Sequence, residues 1–385
     1  MGDKVKVGII GCGNIAPAYV RGCRQFSSIL DLVACADINE ASASAFAEQH
    51  DLNAMPVDDL LAADDIEIVI NLTVPKVHAE VSLAIIAAGK HVHSEKPLAI
   101  TREDGQKILA AANEKGVRVG CAPDTFLGGG LQTCRKLIDD GWIGEPVGAL
   151  AVMAAHGPEA WHPNPHFFYQ IGGGPVFDIG PYYLTALVSL LGPVKRLAGS
   201  ARISFPERIA TSPQWFGERL PVEVPTHVTG ALDFANGAVG TVLLSFDVWA
   251  HNLPCIEIYG SEGTLSVPDP NTFRGPVKVY QTKDRRWEHT PGGGWHEGTW
   301  QHGGWREMPL THNPEVGRGI GVADIAYALR SGRPHRANGE LAYHVLDLMT
   351  AFSQASDSGQ SVQLESTVAQ PAPLPLGLLE GTLDE

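Results

Sequence analysis

No cysteine pair, no long apolar run and no block of like charge marks this chain of 385 residues, and each gap removes a class of protein. Its six cysteines (12, 23, 35, 121, 134 and 255) contain no Cys-x-x-Cys pair and no dense spacing. That argues against a disulfide scaffold and fits reduced thiols in a cytoplasm. Nothing approaches the roughly 18 consecutive apolar residues that a membrane span needs. The amino terminus runs into a strand pattern with no signal segment ahead of it. Basic residues are scarce, 28 Lys+Arg against 43 Asp+Glu for a formal net charge of −15, and none form a run. Nucleic-acid backbones and anionic membranes are therefore excluded as the main partner. No internal repeat is evident. What remains is an ordinary globular composition, 44% hydrophobic, on a length that suits two domains.

The first third alternates strand and helix patterns. A β-branched run at 4–10 is followed by apolar runs at 32–37, 66–71, 91–94 and 117–121, with helical stretches at 41–49, 78–88 and 101–115. Such alternation predicts right-handed βαβ units on a parallel sheet. Beyond residue 145 the rhythm changes to strand-like runs at 147–156, 194–204, 226–235, 238–249, 254–260, 263–268 and 277–282, with helices near 179–191, 317–330 and 340–357. Asn236-Gly237 between two of these runs predicts a hairpin closed by a type I′ turn. The expected fold is α/β: a doubly wound Rossmann domain over 1–122 and an α+β domain with a large, open, mostly antiparallel sheet over 123–368. Residues 287–305, with four tryptophans and Gly292-Gly-Gly294, read as a long loop, a lid or a subunit contact. The Pro-rich tail 369–385 reads as an arm or as disordered.

Gly11-x-Gly13-x-x-Ala16 stands where the first strand feeds a helix. Gly11 permits the tight turn, Gly13 lets the backbone approach a pyrophosphate, and Ala16 keeps helix and strand close. The helix N-terminus, with Asn14 and Ile15, offers N–H groups to phosphates. Asp37 ends the second strand, 21 residues past Ala16. A carboxylate there accepts both ribose hydroxyls and repels a 2′-phosphate, which favours NAD over NADP.

Further along stand Asn71-Leu-Thr73-Val-Pro75-Lys-Val-His78, Glu95-Lys96-Pro97, Gly172-Gly-Gly-Pro-Val-Phe-Asp178-Ile-Gly-Pro-Tyr182 and Gly332-Arg-Pro-His335. In this order the chain resembles the Gfo/Idh/MocA oxidoreductases, sugar and inositol dehydrogenases among them, over nearly its whole length. The resemblance implies that Thr73, Pro75, His78, Glu95 and Lys96 lie along the cofactor. It also implies that Lys96 reaches the reacting hydroxyl beside Asp178. Most members carry a histidine base where this chain has Tyr182. A phenol titrates near pH 10 and serves as a base only where cations lower that value. A lysine desolvated in a cleft loses pKa, so Lys96 is the other candidate for the proton relay.

Asp178 and Tyr182, four apart, share one helix face. Asp124 and Thr125, after the strand 117–121, are candidate contacts for substrate hydroxyls or loop caps. His156, Trp161 and His162, with His166 and Tyr169, precede the triple glycine, and one or two of them are expected to reach substrate. Arg318 reads as a substrate contact or a domain-packing ion pair. The histidines and aspartates carry no Glu-paired zinc spacing, so no metal is expected.

These readings converge on hydride transfer between NAD and a secondary hydroxyl of a sugar, sugar derivative or cyclitol, by a homodimer or homotetramer. The family also includes redox-neutral enzymes that cleave glycosides with a tightly held NAD, and the tryptophans of 287–305 would suit a bulky glycoside. A non-catalytic redox sensor would have no need of the Lys96 and Asp178 pair.

Overall fold

The β-branched run near the amino terminus forms strand β1 (Val5–Ile10), and five strands join it in parallel: β2 (Leu30–Ala36), β3 (Asn53–Ala54), β4 (Ile68–Asn71), β5 (His91–Ser94) and β6 (Val119–Cys121). They appear in a computed structural model that describes residues 3–384. Met1, Gly2 and Glu385, the outer ends of the expected first domain and tail, lie outside the described residues. The strand order, 3-2-1-4-5-6, is that of a doubly wound dinucleotide-binding sheet. Ile10 lies level with Ala36 and Asn71, so the loops after β1, β2 and β4 open at one edge. Val7, Ile9, Ile68, Ile70 and Val92 are fully buried; helices cover both faces, and the strands read as continuous apolar runs. Asn39 and Thr101 cap the helices Glu40–His50 and Arg102–Lys115 by accepting backbone N–H bonds.

The second half is built on nine strands. From one edge to the other they are Arg306–Met308, Val277–Gln281, Gly263–Val267, Ile256–Gly260, Pro146–Ala154, Val239–Ser245, His227–Phe234, Val194–Arg202 and Val362–Gln363. Only the pair Pro146–Ala154 and Val239–Ser245 runs parallel. The strands Val194–Arg202 and His227–Phe234 alternate buried with exposed residues, the sign of a sheet covered on one face. The helix Gly339–Ser358 packs against that sheet and against the helices Gly180–Leu191 and Arg102–Lys115, so it joins both halves. The helix Ile320–Ser331 returns to the first half, lying on the helix Ala16–Gln25 and on β6. Packing therefore runs across the boundary expected at residue 122.

Two expectations need correction, and the two readings of the tail, arm or disordered, are decided in favour of an arm. The Asn236-Gly237 hairpin exists, but Gly237 alone of the pair has positive φ (96°), so the turn is not type I′. The Gly237 N–H donates to the Phe234 carbonyl while the Phe234 N–H donates to that of Ala238, the pattern of a type I turn with a glycine bulge. Residues 287–305 are not an irregular loop: Arg285–His289 and Gly298–His302 form a separate two-stranded hairpin. Trp287 and Trp300 pack across it at 5.3 Å, and the Arg285 guanidinium lies 3.8 Å over Trp300. The tail is ordered. Leu374 and Leu383 are buried, and Leu374 N–H donates to Gln132 Oε1 at 2.7 Å. Gly381 carbonyl accepts from Ser28, and Asp384 pairs with Arg333 at 2.8 Å, so residues 371–384 strap both halves.

Candidate functional site

The turn after β1 is shaped for close approach. Gly11 has φ of 102°, and a Cβ there would lie 2.7 Å from the Leu72 backbone; at Gly13 a Cβ would meet nothing within 4 Å. The first position thus needs glycine to fit the sheet, and the second leaves an open side. The helix that follows begins at Ala16, and no side chain caps its N-terminus near Asn14 and Ile15. Asp37 takes the Cys12 N–H on Oδ2 (2.8 Å) and the Asn39 N–H on Oδ1 (2.9 Å). These bonds fix its carboxylate at the end of β2, beside a cavity of about 200 Å³ bounded by Asp37, Ser44, Met55 and Pro56. A helix N-terminus without a side-chain cap, an open glycine and a held carboxylate fit a dinucleotide's pyrophosphate and ribose.

The loops after β4 and β5 are tied together. Asn71 Oδ1 accepts both the N–H and the hydroxyl of Thr73. His78 is buried, with Nε2 2.9 Å from the Thr73 carbonyl and Nδ1 2.7 Å from that of Pro97. Two carbonyls face one imidazole, which burial keeps below its usual pKa. The ring therefore ties the loop after β4, at Thr73, to the Lys96-Pro97 loop after β5.

Lys96 leaves the carboxyl end of β5. Its ammonium donates to Asp178 Oδ1 (2.8 Å) and to the Asp178 carbonyl (2.6 Å), and it lies 5.3 Å from the centre of the Tyr182 ring. Burial alone would depress the Lys96 pKa, but Asp178, Tyr182 and Glu95 outweigh it and hold the ammonium above the ordinary lysine range. The expected loss of pKa is thus reversed, because desolvation comes with three partners. Tyr182 goes the other way. Lys96 and Arg318 both pull its pKa down, yet burial of the phenol dominates and leaves it above the usual value. These surroundings favour the charged form of Lys96 and the neutral form of Tyr182.

Sequence reasoning left Arg318 undecided between two roles, and the structure brings it into the cluster. Its Nη2 donates to Tyr182 Oη at 2.8 Å, and Nη1 lies 3.8 Å from Glu95 Oε1. Glu95, buried, also accepts from Tyr19 (2.8 Å) and from the Lys96 N–H (3.0 Å). Burial pushes its pKa up, but Arg318, Lys96 and these bonds bring the carboxyl below the ordinary glutamate range. The only sequence signal for Arg318 was its place at the start of a helix, since 136 positions separate it from Tyr182.

Other expected contacts fall elsewhere. Asp124 is fully buried, with Oδ2 accepting from the Gly319 (2.9 Å) and Gly321 (3.0 Å) N–H groups. It is the loop cap, and Thr125 is buried beside it. His156 stacks on Trp249 and meets Arg208, which also pairs with Glu159 and Asp247 at 2.6 Å each. Tyr169 donates to Glu159 in the same group. This is a second buried cluster, with no contact to Lys96 among the described residues. Trp161 is largely exposed. His162 and His166, four apart, do not converge: one bonds Asn164 and the other Glu218. Among the described residues no set of three or more His, Cys, Asp or Glu side chains is arranged to hold a metal.

Comparison with known proteins adds to this geometry. Residues 5–122 match the family domain described as an oxidoreductase family NAD-binding Rossmann fold, and residues 131–266 match the GFO/IDH/MocA C-terminal domain. An inositol 2-dehydrogenase of Ralstonia nicotianae is 28% identical over 69% of this chain and 74% of its own length. A 1,5-anhydro-D-fructose reductase of Ensifer adhaerens is 30% identical over 45% of this chain; the match spans about half of that relative, 52%. A Klebsiella pneumoniae NAD-binding oxidoreductase superposes with a TM-score of 0.78 at 22% identity, covering 94% of this chain and 99% of that one. Levoglucosan dehydrogenase in complex with NADH gives 0.77 at 20% identity, over 94% of this chain and all of that one.

Proposed function

The chain belongs to the Gfo/Idh/MocA family of oxidoreductases, and from that premise we propose that it is an NAD-dependent dehydrogenase of a secondary hydroxyl on a sugar, sugar derivative or cyclitol. The observation that carries this reading is the Lys96, Asp178 and Tyr182 cluster, rooted in the loop after β5 of the sheet whose β1 and β2 loops form the dinucleotide cradle. Gly11, Gly13, Asn14 and Ile15 would receive the pyrophosphate and Asp37 the ribose, with Thr73, Pro75, Glu95 and Lys96 along the rest of the cofactor. Bound NAD supplies the hydride acceptor, and its reduced form the donor. The protein supplies alignment and charge.

Asp178 consumes two of the three N–H bonds of Lys96, leaving one to grip the reacting oxygen. An ammonium held protonated cannot accept a proton, so the relay falls to Tyr182. Arg318 donates to the phenol oxygen, which turns the phenol's own O–H outward as a donor. In carbonyl reduction Tyr182 gives that proton to the oxygen; in alcohol oxidation its phenolate takes the proton back. The relatives named above are dehydrogenases and a reductase, and Trp287 and Trp300 are engaged with each other. Neither observation favours glycoside cleavage.

The test is a panel of sugars, inositols, anhydrosugars and glycosides assayed with NAD and NADP, for the wild type and Tyr182→Phe. We expect NADH formation with at least one polyol and a loss of about 10²–10⁴-fold in kcat for the variant, the scale of acid–base catalysis. No turnover with any polyol, or a variant as fast as wild type, would sink the reading. We further place the protein in the cytoplasm, where its six free cysteines would stay reduced. We also assign it a homodimer or homotetramer through the open sheet face, to be checked by sedimentation.

A further inference from the structure

We infer that Arg318 is a positioning residue that sets the proton chemistry of Tyr182, an inference resting on Tyr182 as the proton carrier. The guanidinium lies 2.8 Å from the phenol oxygen and 5.5 Å from the ring centre, and Lys96 lies 5.3 Å from that centre. Glu95 and Asp178 are the carboxylates nearest these two cations. A guanidinium does not give up its proton in proteins, so Arg318 is not itself the acid or base. Its effect is differential. While Tyr182 is a phenol, Arg318 makes one hydrogen bond to it. Once the proton has left, the same bond joins cation to phenolate, and a bond with one charged partner becomes one with two opposite charges. An interaction that strengthens as charge develops lowers the barrier and not merely the ground state. The balance closes simply. In reduction, for which bound NADH would supply the hydride to the carbonyl carbon, the O–H bond of Tyr182 breaks, its proton joins the carbonyl oxygen, and a phenolate faces Arg318 until solvent returns the proton.

The backbone holds this guanidinium in place from two sides. A Cβ on Gly22 would stand 1.8 Å from the Arg318 carbonyl oxygen, so the loop rests directly on the helix Ala16–Gln25. Asp124 Oδ2 grips the next turn through the Gly319 and Gly321 N–H groups. Asn271 Oδ1 accepts from Nη2 at 3.3 Å on the outer side. The cofactor half thus supplies the floor under a side chain that acts on the substrate half.

The test compares wild type, Arg318→Lys, Arg318→Gln, Arg318→Ala and Tyr182→Phe. In Arg318→Gln, kcat should fall by about 10²-fold with KM for the polyol and NAD affinity within about threefold, on the scale of a lost transition-state charge contact. The pH limb that reports Tyr182 should move to higher pH, because one of the two cations that oppose burial is gone. Arg318→Lys should recover part of kcat, and guanidinium ion added to Arg318→Ala should restore more. An ultraviolet difference titration of the cofactor-free protein, with Tyr182→Phe identifying the signal, should show the same upward move without any turnover. If Arg318→Gln keeps wild-type kcat and limb, or loses kcat with the limb unmoved and no rescue, the inference fails. A Tyr182→Phe variant with wild-type rate would instead overturn the underlying reading. Should Arg318→Gln not fold, Arg318→Lys and the titration decide alone.

Discussion

Replacing Gly22 by alanine should harm this protein, although the same change inside an exposed helix usually stabilises by about 0.5–1 kcal/mol. Gly22 is buried in the helix Ala16–Gln25. The added methyl carbon would lie 1.8 Å from the Arg318 carbonyl oxygen and 2.9 Å from its carbon, where real contacts stay beyond 3.0 Å. The loop must therefore retreat by roughly 1 Å, the gap between the first and last of those distances, or the helix must shift. Overpacking of this kind costs about 1–3 kcal/mol, more than the helix gains. For a chain of this size that lowers Tm by a few degrees. Arg318 moves with the loop, and its 2.8 Å bond to Tyr182 does not survive such a displacement. A misplacement of about 1 Å in a catalytic constellation can cost about 10²-fold in rate. Thermal melting and steady-state kinetics on Gly22→Ala, with NAD affinity from nicotinamide fluorescence, separate the two effects. A variant that melts higher than wild type and keeps its kcat would refute the argument.

Other perturbations follow from the same contacts. Asp37→Asn removes the charge that repels a 2′-phosphate but keeps an acceptor for Cys12 or Asn39; the ratio of NADP to NAD use, read from kcat/KM, should rise about tenfold or more, and an unchanged ratio would contradict the ribose assignment. Asp324 is fully buried between Arg333 (2.7 Å) and Arg336 (2.5 Å); Arg333 keeps Asp384, but Asp324→Ala leaves the buried Arg336 guanidinium without a carboxylate and should cost about 3–5 kcal/mol in denaturant titration. Glu95 has its folded pKa below the unfolded value. Its contribution is complete above the unfolded glutamate pKa, about 4.3, and is lost as pH falls through the folded value. Melting curves of Glu95→Gln should therefore lose stability less steeply than wild type on acidification below about pH 5; parallel curves would exclude that role.

Most of the fold was legible because its causes are local. Continuous apolar runs, glycines at strand ends and caps such as Asn39 and Thr101 mark the parallel sheet directly. The site was legible in part for the same reason: Lys96 follows a strand by two residues, and Asp178 and Tyr182 stand four apart, although the one helix expected to carry both is broken between them into Gly174–Asp178 and Gly180–Leu191. What the sequence hid is long-range. Arg318 meets Tyr182 only because a late helix returns to the first half and rests on Gly22, and no pattern within a window records that return. Asp124 was open to two readings, ligand contact or loop cap, because it follows a strand at the carboxyl edge of the sheet, and only the distant Gly319 and Gly321, whose N–H groups both donate to its Oδ2, show the cap. The direction of the Lys96 shift was misread because burial was counted without the partners buried alongside it.

The strap formed by 371–384 has a consequence for the order in which the molecule can be completed during synthesis. Every group it fastens, from Ser28 to Gln132 and Arg333, leaves the ribosome before it does. The parallel sheet can pair while the strap is still untranslated, but the loop leading to Arg318 cannot be closed over on that side. His312, at the head of that loop, finds the Leu374 carbonyl only at the end. That side of the loop therefore gains its contacts only after both sheets have been synthesised.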